Sequence, residues 1–158
     1  MSNKFFKYQA NGNDFIIIDN RLNQFDKNNT KLIKKLCNRR FGIGADGLIL
    51  LQSSPKFDFR MIYFNSDGNE SSMCGNGGRC IVSFAKRIGI INKTAIFSAI
   101  DGIHNAKVKN DWVELGMSNV EAVEKNKNSI VLNTGSPHYV TLCSDLKKID
   151  VNLRGREI

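Results

Sequence analysis

The segment Met73-Cys74-Gly75-Asn76-Gly77-Gly78-Arg79-Cys80 limits the fold most sharply. It sets a cysteine and three glycines directly ahead of a one-sided apolar run. In that run Ile81, Phe84, Ala85 and Ile88 recur at i, i+3, i+4 and i+7, and Gly89 is placed as a C-terminal cap. This is the pattern of an amphipathic helix that must cover an apolar surface. The glycines predict a tight turn whose N–H groups face an anion such as a carboxylate. A thiol at that turn meets unpaired N–H groups and the positive end of the helix dipole, a setting that favours thiolate. Cys74 is therefore a candidate base or nucleophile, whereas Cys80 falls near the apolar face and reads as packed. A turn with a buried structural cysteine is the commoner arrangement for one cysteine, but less so for one between Met and Gly-Asn-Gly-Gly.

The rest of the chain supplies the surface. Phe5–Ala10 and Phe15–Asp19 read as strands around an Asn11–Asp14 turn. Thr30 is placed to cap a helix through about Arg40, with Leu32, Ile33, Leu36 and Cys37 as its stripe and Gly42 just beyond. Gly42-Ile43-Gly44-Ala45-Asp46-Gly47 is a second glycine-rich loop. Strands follow at Leu48–Leu51 and Phe59–Phe64, and Asn65–Asn69 is a turn. Three more strands are expected at 95–99, 105–109 and 112–117. The polar stretch 118–129 reads as a linker, followed by strands at 130–133 and 139–143 around the turn Gly135-Ser136-Pro137-His138. Strands dominate without regular strand–helix alternation, so the class is α+β.

Composition bounds the function. The 158 residues are 41% apolar and 24% charged, ordinary for a globular domain. No apolar run approaches a membrane span and the amino terminus carries no secretory pattern, so a cytoplasmic location with no membrane partner is expected. Four cysteines in such a chain fit no disulfide framework, and neither Cys74–Cys80 nor the distant His104 and His138 has zinc spacing, so no metal is expected. The net charge of +8 is spread over isolated basic pairs with no interleaved aromatic platform, so no nucleic-acid partner is expected. A phosphatase loop needs arginine six residues after the cysteine, but Arg79 is five after Cys74. Gly42-Ile43-Gly44 lacks the third glycine and the following helix of a dinucleotide fingerprint. A cysteine hydrolase needs a histidine such as His138 beside the sulfur.

Five segments in this order resemble the diaminopimelate epimerase family: Gly12–Phe15, Gly42–Gly47, Phe64–Gly68, Cys74–Cys80 and Gly135–His138. The resemblance covers essentially the whole chain, and the cysteine segment is its specific part. It implies an α+β fold in which a mixed sheet wraps around a central helix, with an incomplete second domain. It also implies cofactor-independent epimerisation of LL- and meso-diaminopimelate, a step of lysine and peptidoglycan precursor biosynthesis. In that reaction one cysteine thiolate removes the α-proton and a second cysteine thiol delivers one to the opposite face. On the matching positions Cys74 is one base, His138 tunes the cysteine chemistry, Gly75 and Asn76 hold the α-amino acid end, and Asn13 and Asn65 bind the substrate, including its distal group. No cofactor is implied; the partner is the small-molecule substrate, and homodimers are common in the family.

Some features depart from the family pattern. Many members have asparagine where Ser136 stands, and some have glutamine at the place of Gly47. The family's second cysteine motif, and the Glu-Arg segment before it, have no counterpart among Cys37, Cys80 and Cys143. Residues 1–118 are thus expected to be the Cys74-bearing domain, and 119–158 a linker and the start of a second. The isolated chain is expected to be inactive. A racemase acting on another amino acid such as proline, a non-catalytic amino-acid-binding fragment and a basic nucleic-acid binder are the competing readings. Asn13 and Asn65 as distal-group ligands favour diaminopimelate.

Overall fold

A computed structural model describes residues 4–158; Met1–Asn3, part of the amino-terminal segment read above, lie outside the described residues. The chain divides into two compact units between Asn119 and Val120.

In the first unit seven strands lie side by side in chain order. β1 (Phe6–Ala10) and β2 (Asn13–Asp19) form an antiparallel hairpin. Its turn is only Asn11-Gly12, both with positive φ (55° and 80°), as a tight two-residue hairpin requires. Asn13 and Asp14, expected in the turn, are instead the first residues of β2 and so have defined directions. β3 (Gly47–Gln52) runs parallel to β2, and β4 (Phe59–Asn65) antiparallel to β3. β5 (Thr94–Ala99) is parallel to β4, and β6 (Gly102–Lys109) and β7 (Trp112–Leu115) complete an antiparallel meander.

The two parallel pairings need long crossovers, and a helix serves each. α1 (Thr30–Cys37) joins β2 to β3 and α2 (Gly75–Arg87) joins β4 to β5. The two helices lie on opposite faces because β2, β3 and β4 are apolar on both. Phe15, Ile17, Ile49, Leu51, Phe59 and Met61 point to one side and pack on Ile81, Phe84 and Ala85 of α2. Ile16, Ile18, Leu48, Leu50, Ile62 and Phe64 point to the other and meet Ile33 and Cys37 of α1. This is the period-2 alternation of strands that are covered twice. α2 touches β1 and β7, the two ends of the sheet, as well as β2, β3, β4 and β6 between them. The sheet is therefore curled around it.

α1 differs from the sequence expectation at both ends. Asn29, not Thr30, is the cap, its side chain accepting the Leu32 N–H at 3.0 Å. The helix stops at Cys37 because Asn38 turns extended and its side chain takes the N–H groups of Arg40 and Phe41. Arg39 thus leaves the helix and is free to reach the first turn of the sheet. The loop closes at Gly42, where a Cβ would lie 2.0 Å from the Lys35 carbonyl oxygen.

The second unit holds β8 (Val123–Lys125), β9 (Ile130–Asn133) and β10 (Pro137–Val140) in an antiparallel sheet with β9 central. A 3₁₀ turn at Leu146–Lys148 and a short helix, α3 (Val151–Glu157), follow. β8 lies inside the stretch expected to be a linker; its pairing with β9, not its own sequence, makes it a strand. β10 starts two residues earlier than expected. His138 therefore stands in a strand opposite Leu132, and Cys143 lies beyond the strand. Pro137 is tolerated because β10 is an edge.

Candidate active site

Helix α2 begins at Gly75, and Cys74 is its cap. The backbone of Cys74 is extended (φ −113°, ψ 116°), and its sulfur accepts the Gly77 N–H at 3.5 Å. The glycine-rich segment is therefore not a turn before the helix but the first turn of the helix itself. None of Gly75, Gly77 and Gly78 has a positive φ. The last two are glycine for want of space. A Cβ at Gly77 would stand 3.1 Å from the ends of Ile49 and Met61, and one at Gly78 2.7 Å from Leu115 and Met73. Small residues let the helix start press against the sheet, as close packing requires. Of the first-turn amides, Gly77 serves the sulfur and Gly78 the Cys74 carbonyl. Those of Gly75 and Asn76 precede the first intrahelical acceptor and point out of the helix end.

Asn13 reaches this end from the start of β2. Its Oδ1 accepts from Cys74 Sγ at 3.6 Å and from Asn76 Nδ2 at 3.3 Å. Its Nδ2 donates to Asp46 Oδ2 at 2.8 Å. Asn76 Oδ1 in turn accepts from Asn11 Nδ2 at 3.1 Å and from the Arg79 guanidinium. Three of the sequence-predicted site residues, Cys74, Asn13 and Asn76, thus form one hydrogen-bonded group, with Gly75 between two of them. Asn65 ends β4 opposite Gly47, exposed, with its side chain donating to Ser71 Oγ at 3.0 Å. No direct bond joins it to the cysteine group. His138 belongs to the second unit, where its Nδ1 contacts the Ser136 carbonyl at 2.7 Å and Thr134 Oγ1 at 3.3 Å.

Behind Asn13 stands a charged clamp that the sequence reading passed over. Arg39 bridges Asp14 at 2.7 Å and Asp46 at 2.8 Å, and Lys7 adds a bond to Asp14 at 2.7 Å. The Arg39 guanidinium holds the Asp14 carboxyl well below the ordinary carboxylate range, with Lys7 assisting against partial burial. Asp46 is held low chiefly by the Asn13 side-chain amide. Asp14 and Asp46 were visible as acids inside two of the resembling segments; only the short hairpin turn and the early end of α1 bring them together.

Tyr63 of β4 forms another wall. Burial chiefly pushes its hydroxyl up to about 12. A Cβ at Gly47 would lie 2.5 Å from Tyr63 Cε2. The ring therefore fills the space that a longer residue at position 47 would take. Of the other thiols, burial pushes Cys37 and Cys80 up to about 11, and Cys143 is exposed in the second unit. Among the described residues no group of His, Cys, Asp and Glu is arranged to hold a metal. Nor is any helix among them long and apolar enough to cross a membrane.

The family model for diaminopimelate epimerase matches residues 5–124. The chain belongs to the diaminopimelate epimerase family. It is 57% identical over 98% of its length to a diaminopimelate epimerase of Flavobacterium psychrophilum, and 41% identical over 95% to one of Campylobacter jejuni. It spans 61% of the length of each of these relatives. Solved structures carry the fold much further than the sequence. A PhzF-family protein of Bacillus anthracis aligns with 89% of this family member and 56% of itself, at a TM-score of 0.67 and 16% identity. A predicted epimerase of Pseudomonas aeruginosa aligns with 99% and 67%, at 0.63 and 11%. The α+β fold with a mixed sheet curled round a helix is thus shared, whereas the cysteine group is described from this epimerase-family chain itself.

Proposed function

We propose that this chain provides one half of the acid–base machinery that inverts the α-carbon of diaminopimelate. The observation that carries this reading is Cys74: in a member of this family, its sulfur caps the central helix beside Asn13 and Asn76. The Cys74 thiolate takes the α-proton, forming an S–H bond, and the C–H electron pair passes into the α-carbon and carboxylate. A second thiol then protonates the opposite face. An amino-acid α-proton is weakly acidic, so the developing negative charge must be met by fixed donors. The outward amides of Gly75 and Asn76 are aimed for that purpose, and the helix dipole adds to them. Thiols suit both roles because either protonation state is accessible near neutral pH.

The second thiol comes from outside these 158 residues. Cys37 and Cys80 are buried and held as thiols, and Cys143 is exposed and caps no helix. In this reading Asn65 binds the distal group, and His138 acts on the cysteine chemistry once the site is assembled. Cys143 is replaced by serine for the test, so that labelling reports on Cys74. Iodoacetamide should label Cys74, and diaminopimelate should slow that labelling while an equal concentration of lysine should not. Labelling indifferent to diaminopimelate would remove the substrate assignment. The chain alone should form no meso isomer from the LL isomer; product formation lost in Cys74→Ala would show that the second base lies within it.

A further inference from the structure

Asn13 is an amide whose two ends face different partners, and which end faces the sulfur decides what the sulfur experiences. The contacts resolve it. Asp46 accepts hydrogen bonds only, so Asn13 must present its NH₂ to Asp46 and its carbonyl oxygen to Cys74. Arg79 donates only, so Asn76 must present its oxygen to Arg79 and its NH₂ to Asn13. The polarity of both amides is therefore written by two ions, one at each end of the row. Asp46 is itself held by the Asp14 N–H at 3.1 Å and by Arg39 at 2.8 Å.

We propose that Asp46 is a positioning residue: by fixing the Asn13 amide, it keeps a carbonyl oxygen against Cys74 and so holds the sulfur as a hydrogen-bond donor until substrate displaces that contact. The inference deepens the acid–base reading above. Asn13 Oδ1 accepts from the sulfur at 3.6 Å, and the Gly77 N–H donates to it at 3.5 Å. The titratable and charged groups around the sulfur are Tyr63 from β4, Cys80 and Arg79 from α2, and Asp46 behind Asn13.

The test is the pH profile of Cys74 alkylation by iodoacetamide in the Cys143→Ser chain. Asp46→Ala removes the acceptor that holds the Asn13 NH₂, leaves the amide tied only through Asn76 Nδ2, and moves the profile to lower pH. The rate at a fixed, mildly acidic pH rises by roughly three- to tenfold, since thiolate is the reacting form. Asp46→Asn loses the same charge but keeps its acceptor oxygen where Asn13 Nδ2 and the fixed Asp14 N–H both donate, turning its NH₂ to the exposed Arg39, which still has Asp14, and it retains the parent profile. A shift of equal size in both variants would make the effect one of charge alone, and no shift in Asp46→Ala would show that Asn13 is fixed without it; either result overturns the proposal. Should Asp46→Ala not fold, the parent protein decides. NMR contacts from the Asn13 NH₂ protons to Asp46 Hβ support the orientation, and contacts to Cys74 Hβ refute it. Neither readout depends on diaminopimelate, so a failed substrate assignment and a failed positioning role are distinguishable.

Discussion

The two units of this chain have similar apolar content along their strands and opposite fates for it. In residues 4–119 the side chains of β2, β3 and β4 are buried on both faces, and Phe15, Phe59, Phe84 and Phe97 are fully inaccessible. In residues 120–158 Ser129 alone is buried, while Leu142 is 95% exposed and Leu146 and Val151 more than 70%. The difference lies less in composition than in closure. The first unit has a helix long enough to be touched by both ends of its sheet; the second has three short strands and a seven-residue helix. A three-stranded sheet whose strands stay largely exposed has little burial to set against the entropy of ordering it.

The sharpest way to break that contrast is to cut into the first core. Phe84 of α2 packs on Phe6 at 4.9 Å between ring centroids and on Tyr8 at 6.0 Å. Phe84→Ala should cost about 3–5 kcal/mol in urea unfolding, the usual loss for a buried aromatic. A cost below about 1 kcal/mol would mean that α2 is not the centre of the fold. Gly68→Ala should be next. Gly68 holds φ +94° with its Cα against the Thr30 carbonyl, where a Cβ would come within 2.2 Å, so about 1–3 kcal/mol is expected from strain alone.

Acid should act through the clamp. The folded Asp14 carboxyl lies below its unfolded value, so its contribution is complete above about pH 4, where the unfolded side chain is ionised, and is lost as pH falls further. Asp14→Asn should therefore lower the melting temperature near neutral pH and converge with the parent in acid. Parallel curves would place the acid sensitivity elsewhere. The smallest effect is expected in the second unit: Leu142→Ala should change stability by less than about 0.5 kcal/mol, as for any exposed side chain. A larger loss in the isolated chain would show that this apolar surface is already covered, for instance by a second copy.

Much of the first unit was legible because its signals are local. The period of 3.6 in Ile81–Ile88 and the period of 2 in Phe59–Phe64 each report one element. The turn residues between them mark where it stops. Legibility failed where a neighbour decides the outcome. β8 is a strand only because β9 pairs with it, and α1 ends three residues early because the Asn38 side chain captures the next amides. The glycines of the cysteine segment look conformational in the sequence and are spatial in the fold: they leave room for Met73 and for Ile49, Met61 and Leu115, which are distant in sequence. Within the candidate site, Cys74, Asn13, Asn76 and Gly75 are named from their segments alone. Arg39 and Asp46 are not, because nothing in their spacing says that they meet.

What the sequence by itself determined is the set of elements and the chemistry at hand: an amphipathic helix begun by a cysteine among glycines, apolar strands to cover it, and asparagines near the ends of these elements. These follow from hydrogen-bonding capacity, periodicity and the absence of a Cβ, which are properties of residues and their near neighbours. Only the tertiary structure decided which way the amides of Asn13 and Asn76 point. That choice depends on an acceptor 33 residues from Asn13 and on a donor one helical turn past Asn76. An amide has no preferred end until a charge stands beside it, and no local pattern reports where that charge will be.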